Sequence, residues 1–150
     1  MERFLKKYLS DADLDTIANT IAEVEKNTSG QIRICIRQRR HWRERKLSLH
    51  DLTVNEFHRM GMQLTKHRTG VLILLLISER KFHIVADRGI HEKVKDGTWE
   101  QIAGTIAKHF AAGNFCAGIC NGIQEAGEVL AAHFPNDGGA QELPSTVEVA

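Results

Sequence analysis

The sequence predicts an α/β fold, a three-layer α/β/α sandwich in which helices flank both faces of a small mixed sheet of three to four strands. Three observations carry this. The run "VLILLLI" (71–77) is continuously aliphatic between a glycine and a serine, the pattern of a strand buried on both faces. The stretch "QIRICIR" (31–37) alternates, with Ile32, Ile34 and Ile36 on one face and Arg33, Cys35 and Arg37 on the other, so it is a strand whose second face is partly covered. Segments with apolar residues at helical spacing precede, separate and follow these strands.

The elements follow in order. Residues 1–9 read as a short helical extension with Phe4, Leu5 and Tyr8 on one side. Ser10 is an N-cap, Asp11, Asp13 and Asp15 suit the positive end of a helix, and Leu14, Ile17, Ile21 and Val24 make residues 11–27 amphipathic. "NTSG" (27–30) stops that helix before the strand 31–37. Ser48 caps a second helix over 49–65, with Leu49, Leu52, Val54, Phe57, Met60 and Leu64 on a broad apolar face. After the strand 71–77, "SER" (78–80) is a hairpin turn, and "KFHIVAD" (81–87) returns antiparallel with Phe82, Ile84 and Ala86 on one face. Thr98 caps a helix running to about Phe110. Residues 115–133 form the last helix, with Phe115, Ile119, Ile123, Ala126 and Leu130 inward and Gly118 and Gly122 admitting a close neighbour. Pro135 and the following glycines end it. Residues 135–150 form an extended tail in which 146–149 can add an edge strand.

Length and composition bound the function classes. A chain of 150 residues with 42% hydrophobic and 26% charged residues is expected to be one globular domain, residues 1–150. Its longest aliphatic run is too short for a membrane helix, which needs roughly 20 residues. The opening "MERFLKKYLS" has no apolar signal core, so the expectation is a soluble, cytoplasmic protein that does not span a membrane. Three cysteines on apolar faces fit reduced packing residues. The charge is asymmetric: all 20 Lys and Arg lie in residues 1–110, whereas 111–150 holds only acids among its charged residues. The simple reading is that the two ends attract each other across the fold, or that the tail is simply acidic.

Two stretches are candidate sites. "ADRGIHEKVKDGTW" (86–99) brings Asp87, Glu92 and Asp96 into one strand-end loop, and Ca²⁺ or another divalent ion takes six to eight oxygens of this kind. Arg88, Lys93 and Lys95 in the same loop oppose a cation. The structural alternative has Asp87 closing a turn, Gly89 permitting a positive φ, and Asp96 capping or preceding the helix of Trp99. "RQRRHWRERK" (37–46) is a basic patch carrying Arg39, Arg40, Trp42, Arg43 and Arg45, suited to phosphates, acidic headgroups or an acidic protein surface. A solvated loop is the simpler expectation there, and nucleic acid is not the expected partner. No phosphate-binding glycine loop, Cys-x5-Arg loop or HExxH zinc motif occurs, and the eight histidines and three cysteines form no cluster at zinc spacing.

"EKNTSGQIRICI", "TKHRTGVLILLL", "FHIVADRGIHEKV", the helix entered at Trp99 and "HFPNDGGAQELP" stand in an order and spacing that resembles the TPM domain family, known from thylakoid lumenal proteins linked to photosystem II repair. The resemblance covers about Tyr8 to Val149 and is nearest the short, stand-alone bacterial members. It implies the same three-layer fold. It also implies an accessory or binding role beside a membrane-associated partner, such as a LemA-like protein or a membrane-anchored TPM protein, with divalent-ion binding at the loop ends of the sheet. The alternative it implies is a weak, divalent-metal-dependent acid phosphatase-like hydrolase. The family signature appears here as "ADRGI", keeping Asp87, Gly89 and Ile90, and its loop acid matches Asp96 approximately. Gln31 stands where relatives often have Glu, and Thr69 where they often have Asn, which would take one charge and one ligand from an ion site.

Overall fold

A computed structural model describes residues 5–138, 143 and 147–149. Its centre is a four-stranded mixed sheet in the order β3-β2-β1-β4, with β1 at Gln31–Arg37, β2 at Gly70–Leu76, β3 at Lys81–Ala86 and β4 at Val147–Val149. β1 runs parallel to both β2 and β4, and β3 returns antiparallel to β2. The helices are α1 (Asp11–Glu25), α2 (Leu49–Arg59), the short α3 (Arg88–His91), α4 (Thr98–Ala111) and α5 (Phe115–His133).

Alternation in the strands divides the core in two. Ile32, Ile34, Ile36, Val71, Ile73 and Leu75 pack against Ile17 and Ile21 of α1, Ile102 and Ile106 of α4, and Ile119 and Ile123 of α5. Cys35, Leu72, Leu74 and Leu76 face the other way, onto Leu52 and Phe57 of α2 and onto Met62. β2 is therefore buried along its whole length, as its unbroken aliphatic run requires. Each such side chain withdrawn from water stabilises the fold by about 1.5–3 kcal/mol.

Ser10 caps α1 in a reciprocal capping box with Asp13, and Ser48 caps α2 by accepting from the Asp51 N–H. α1 ends at Glu25, two residues short of the expected 27. α2 ends at Arg59 rather than 65, because Gly61 adopts φ 71° and turns the chain left-handed into a separate turn, Met62–Leu64. Leu64 consequently leaves the apolar face and is 76% exposed. Thr98 is the first residue of α4 and not its cap; Gly97, at φ 89°, holds the cap position, and Asp96 precedes it. Gly118 and Gly122 do seat α4 closely: a Cβ on Gly122 would lie 2.5 Å from Ile106 Cδ1. Of the expected helix at 1–9, residues 5–9 are described, and they make one turn with Tyr8 and Leu9 donating to the Leu5 carbonyl. Residues 1–4 and Thr146 lie outside the described residues.

The second face of β1 differs from its expected partial cover. Arg33 and Arg37 are only 2% and 4% exposed. Arg33 meets Glu25 of α1 at 2.6 Å and donates to the Leu143 carbonyl. Arg37 meets Glu44 through two bonds of 3.0 and 2.6 Å. Between them the Cys35 thiol donates to Glu56 at 3.4 Å, and burial, followed by the Glu56 charge, pushes it up to about 12. Arg59 bridges Glu56 to Glu148 of β4 at 2.7 and 2.6 Å, so an acid of the tail does reach back to a base of the main body. Each buried charge thus has an opposite charge to offset its desolvation.

Candidate functional site

The register puts the two candidate stretches at opposite ends of the sheet. Gln31 pairs with Gly70 and Val71 with Ala86 at one end; Arg37 pairs with Leu76 and Leu76 with Lys81 at the other.

At the first end Asp87 follows β3 directly and caps α3. It is 7% exposed, and its Oδ1 accepts the Arg88 N–H at 2.8 Å. Arg68, just ahead of β2, forks onto it with Nε to Oδ2 at 2.8 Å and Nη2 to Oδ1 at 3.1 Å. Asp87 holds the Arg68 guanidinium above its ordinary pKa, through these hydrogen bonds first. Arg68 reaches this position with φ 57°, a left-handed backbone that non-glycine residues rarely adopt. Gly89 has no positive φ. It is glycine because a Cβ there would stand 2.2 Å from the His67 carbonyl oxygen and 2.6 Å from that of Arg68. The Gly89 N–H donates to the same Arg68 oxygen at 3.0 Å, so the signature "ADRGI" is a cap followed by a close backbone crossing.

These residues form no ready cation site. Both Asp87 oxygens already accept from Arg68, whose guanidinium supplies the positive charge an ion would bring. Glu92 and Asp96 are exposed and do not join Asp87. Among the described residues no three His, Cys, Asp or Glu gather as metal ligands. Gln31 and Thr69 are both buried nearby, but Gln31 Oε1 accepts from Arg33 at 3.3 Å and the Thr69 carbonyl accepts the Gln31 N–H at 3.1 Å. A divalent ion would have to displace Arg68 to reach the carboxylate.

The second end carries the basic loop, which is braced rather than loosely solvated. Arg37 and the His41 N–H both hold Glu44, the latter at 2.8 Å. Glu44 draws Arg37's pKa up, through their hydrogen bonds first, and the Arg37 hydrogen bonds, with a smaller part from the His41 N–H, lower that of Glu44 to about 2. Arg40 pairs with Glu79 of the β2–β3 turn at 2.5 Å and donates to the Glu44 and Leu47 carbonyls, so this arginine braces the loop. Upon this frame Trp42 is 70% exposed. Arg43 and Arg45 stand over its ring at 5.9 and 5.1 Å from the centroid. Arg39 and Lys46 are exposed beside it. Sequence reasoning found the patch but missed Glu44, Glu79 and Arg68 as its and Asp87's partners; each lies across a turn or an element, and no spacing rule links them.

Fold and site define a small α/β/α domain with an arginine-locked carboxylate at one end of its sheet and a braced basic-aromatic loop at the other. The TPM domain profile matches residues 5–129. The solution structure of the BA42 protein from the psychrophilic bacterium Bizionia argentinensis is 33% identical, superposes with a TM-score of 0.86, and covers 95% of this chain and 96% of its own. The chain belongs to the TPM domain family. The N-terminal domain of a Porphyromonas gingivalis protein (19% identity, TM-score 0.67, 85% of this chain and 79% of that one) shares the fold. So does that of cg2496 from Corynebacterium glutamicum (11%, 0.61, 81% and 74%). Among curated proteins none matches the chain. No described helix is long and apolar enough to cross a membrane.

Proposed function

We propose that this chain is an accessory binding module that recognises an acidic surface on a membrane-associated protein partner through the loop 37–46. One observation carries the reading: Trp42 is presented to solvent on a frame fixed by the Arg37–Glu44 and Arg40–Glu79 pairs, with Arg39, Arg43, Arg45 and Lys46 around it. A rigid exposed aromatic among cations loses little conformational entropy on docking, and such residues dominate binding energy at interfaces. Charge complementarity then selects an acidic partner, and family membership suggests a LemA-like or membrane-anchored TPM protein. The phosphatase-like alternative has less support, because both Asp87 oxygens already accept hydrogen bonds from Arg68, which a metal or a phosphoryl group would have to compete with.

The chain has two tryptophans, so Trp99→Phe leaves Trp42 as the only reporter. Titrating this variant with the soluble domain of a LemA-like protein should move Trp42 emission to the blue and shield it from iodide. Arg39→Ala/Arg43→Ala/Arg45→Ala should weaken binding at least tenfold. Vesicles with anionic headgroups and a single-stranded oligonucleotide are the parallel probes. A response to either of these alone, or an unresponsive Trp42 with every probe, would overturn the reading.

A further inference from the structure

A cavity of about 590 Å³ opens beside the end of β2 and the start of β3, against the last turn of α4 and the first of α5. Its volume falls within the range of small-molecule sites. Four of the chain's seven Phe and Tyr residues wall it: Tyr8, Phe82, Phe110 and Phe115. They form a chain of ring contacts, Phe82–Phe110 at 5.2 Å, Phe110–Phe115 at 5.3 Å and Tyr8–Phe115 at 5.0 Å between centroids. All four rings are only half-buried, so the apolar wall stays in reach of solvent. Arg80 and Lys81 line the same cavity and are exposed, which places their charges at its rim. Neither side chain has an ion-pair or hydrogen-bond partner among the described residues. Arg80 holds φ 53°, a left-handed position at the hairpin turn where glycine or asparagine is the usual occupant. α4 ends and α5 begins beside the mouth, so their dipoles oppose each other and the two side-chain cations set its sign.

We propose that this cavity binds a medium-chain carboxylate: an acyl chain lies among the aromatic rings and its carboxylate meets Arg80 and Lys81. An aromatic-walled pocket with cations only at its rim matches an amphiphile with one anionic end. The inference stands on the cavity and not on the docking loop, which faces solvent beyond the same turn.

The test is calorimetric titration of the full-length chain with hexanoate, octanoate and decanoate below their micellar concentrations, with decylammonium as the charge-reversed probe. Affinity should tighten about fourfold per added methylene while the chain still finds apolar wall. Arg80→Gln/Lys81→Gln alters only exposed side chains and should weaken decanoate about tenfold or more. Ala107→Trp, from an exposed helix position lining the cavity, should abolish binding while the far-ultraviolet circular dichroism stays unchanged. Absence of saturable binding, binding that survives Ala107→Trp, or decylammonium binding as tightly as decanoate would each overturn the proposal.

Discussion

Alanine at Gly89 should be among the most damaging single-methyl additions in this protein. The new Cβ would sit 2.2 Å from the His67 carbonyl oxygen and 2.6 Å from that of Arg68. Ordinary contact lies near 3.4 Å, so the two backbones must part by about 1 Å. Neither can do so freely. The Gly89 N–H is bonded to the Arg68 oxygen at 3.0 Å, and the Asp87 N–H to the Gly70 oxygen at 2.9 Å. Overpacking of this kind costs about 1–3 kcal/mol, and a lost buried hydrogen bond about 1 kcal/mol. Alanine returns about 0.7 kcal/mol through its smaller unfolded-state entropy. The expected net loss is about 2–3 kcal/mol, or roughly 8 °C in melting temperature for a chain of this size. Gly104→Ala is the matched control: it sits within α4 with nothing within 4 Å of the new methyl, and should stabilise by about 0.5–1 kcal/mol. Urea denaturation at neutral pH reads both. A Gly89→Ala midpoint within error of wild type, at unchanged slope, would refute the close crossing as the reason for this glycine.

Two further perturbations bear on the charged features. Arg37 lowers Glu44 to about 2 from an unfolded value near 4.5, so Glu44 contributes stability that is fully present above about pH 4.5 and is lost as pH falls toward 2. Glu44→Gln should therefore be less stable than wild type at pH 7, with the gap closing across that window; a gap that does not change with pH would mean the loop is not braced by this charge. Calcium should bind the wild-type protein weakly, at millimolar concentrations or above, since it must displace Arg68. Calorimetry should find tighter binding in Arg68→Gln and none in Asp87→Asn, and an Arg68→Gln protein no better than wild type would remove the guanidinium as the obstacle.

Most of the scaffold was legible because its signals are local. The Ile32-Ile34-Ile36 alternation, the aliphatic run of β2 and the caps at Ser10 and Ser48 each follow from neighbours in sequence. The early end of α2 escaped because a left-handed Gly61 competes with a helical pattern that continues through Leu64. The burial of Arg33 and Arg37 escaped for another reason. Arginine on a strand face reads as solvent-facing unless its acids are known, and Glu25, Glu44 and Glu56 come from three separate segments. The candidate sites divide the same way. Asp87 closing the end of a strand and Trp42 within a basic patch were readable from their neighbours, whereas the cap that Asp87 makes on α3, the Arg68 lock and the aromatic cavity appear only in the folded chain.

The placement of β4 also separates the sheet's pairings by the length of chain that each must close. β2 and β3 are joined by a tight turn, whereas β4 pairs with β1 only across the long stretch of chain between Arg37 and Val147. Closing that long loop is entropically the costliest pairing in the sheet. Among the described residues it has three paired positions against the seven of β1 and β2, which makes it the less secured of the two. The antiparallel edge is thus the locally closed half of the sheet and β4 its long-range half, and the amides of Val147–Val149 should exchange with solvent well before those of β2.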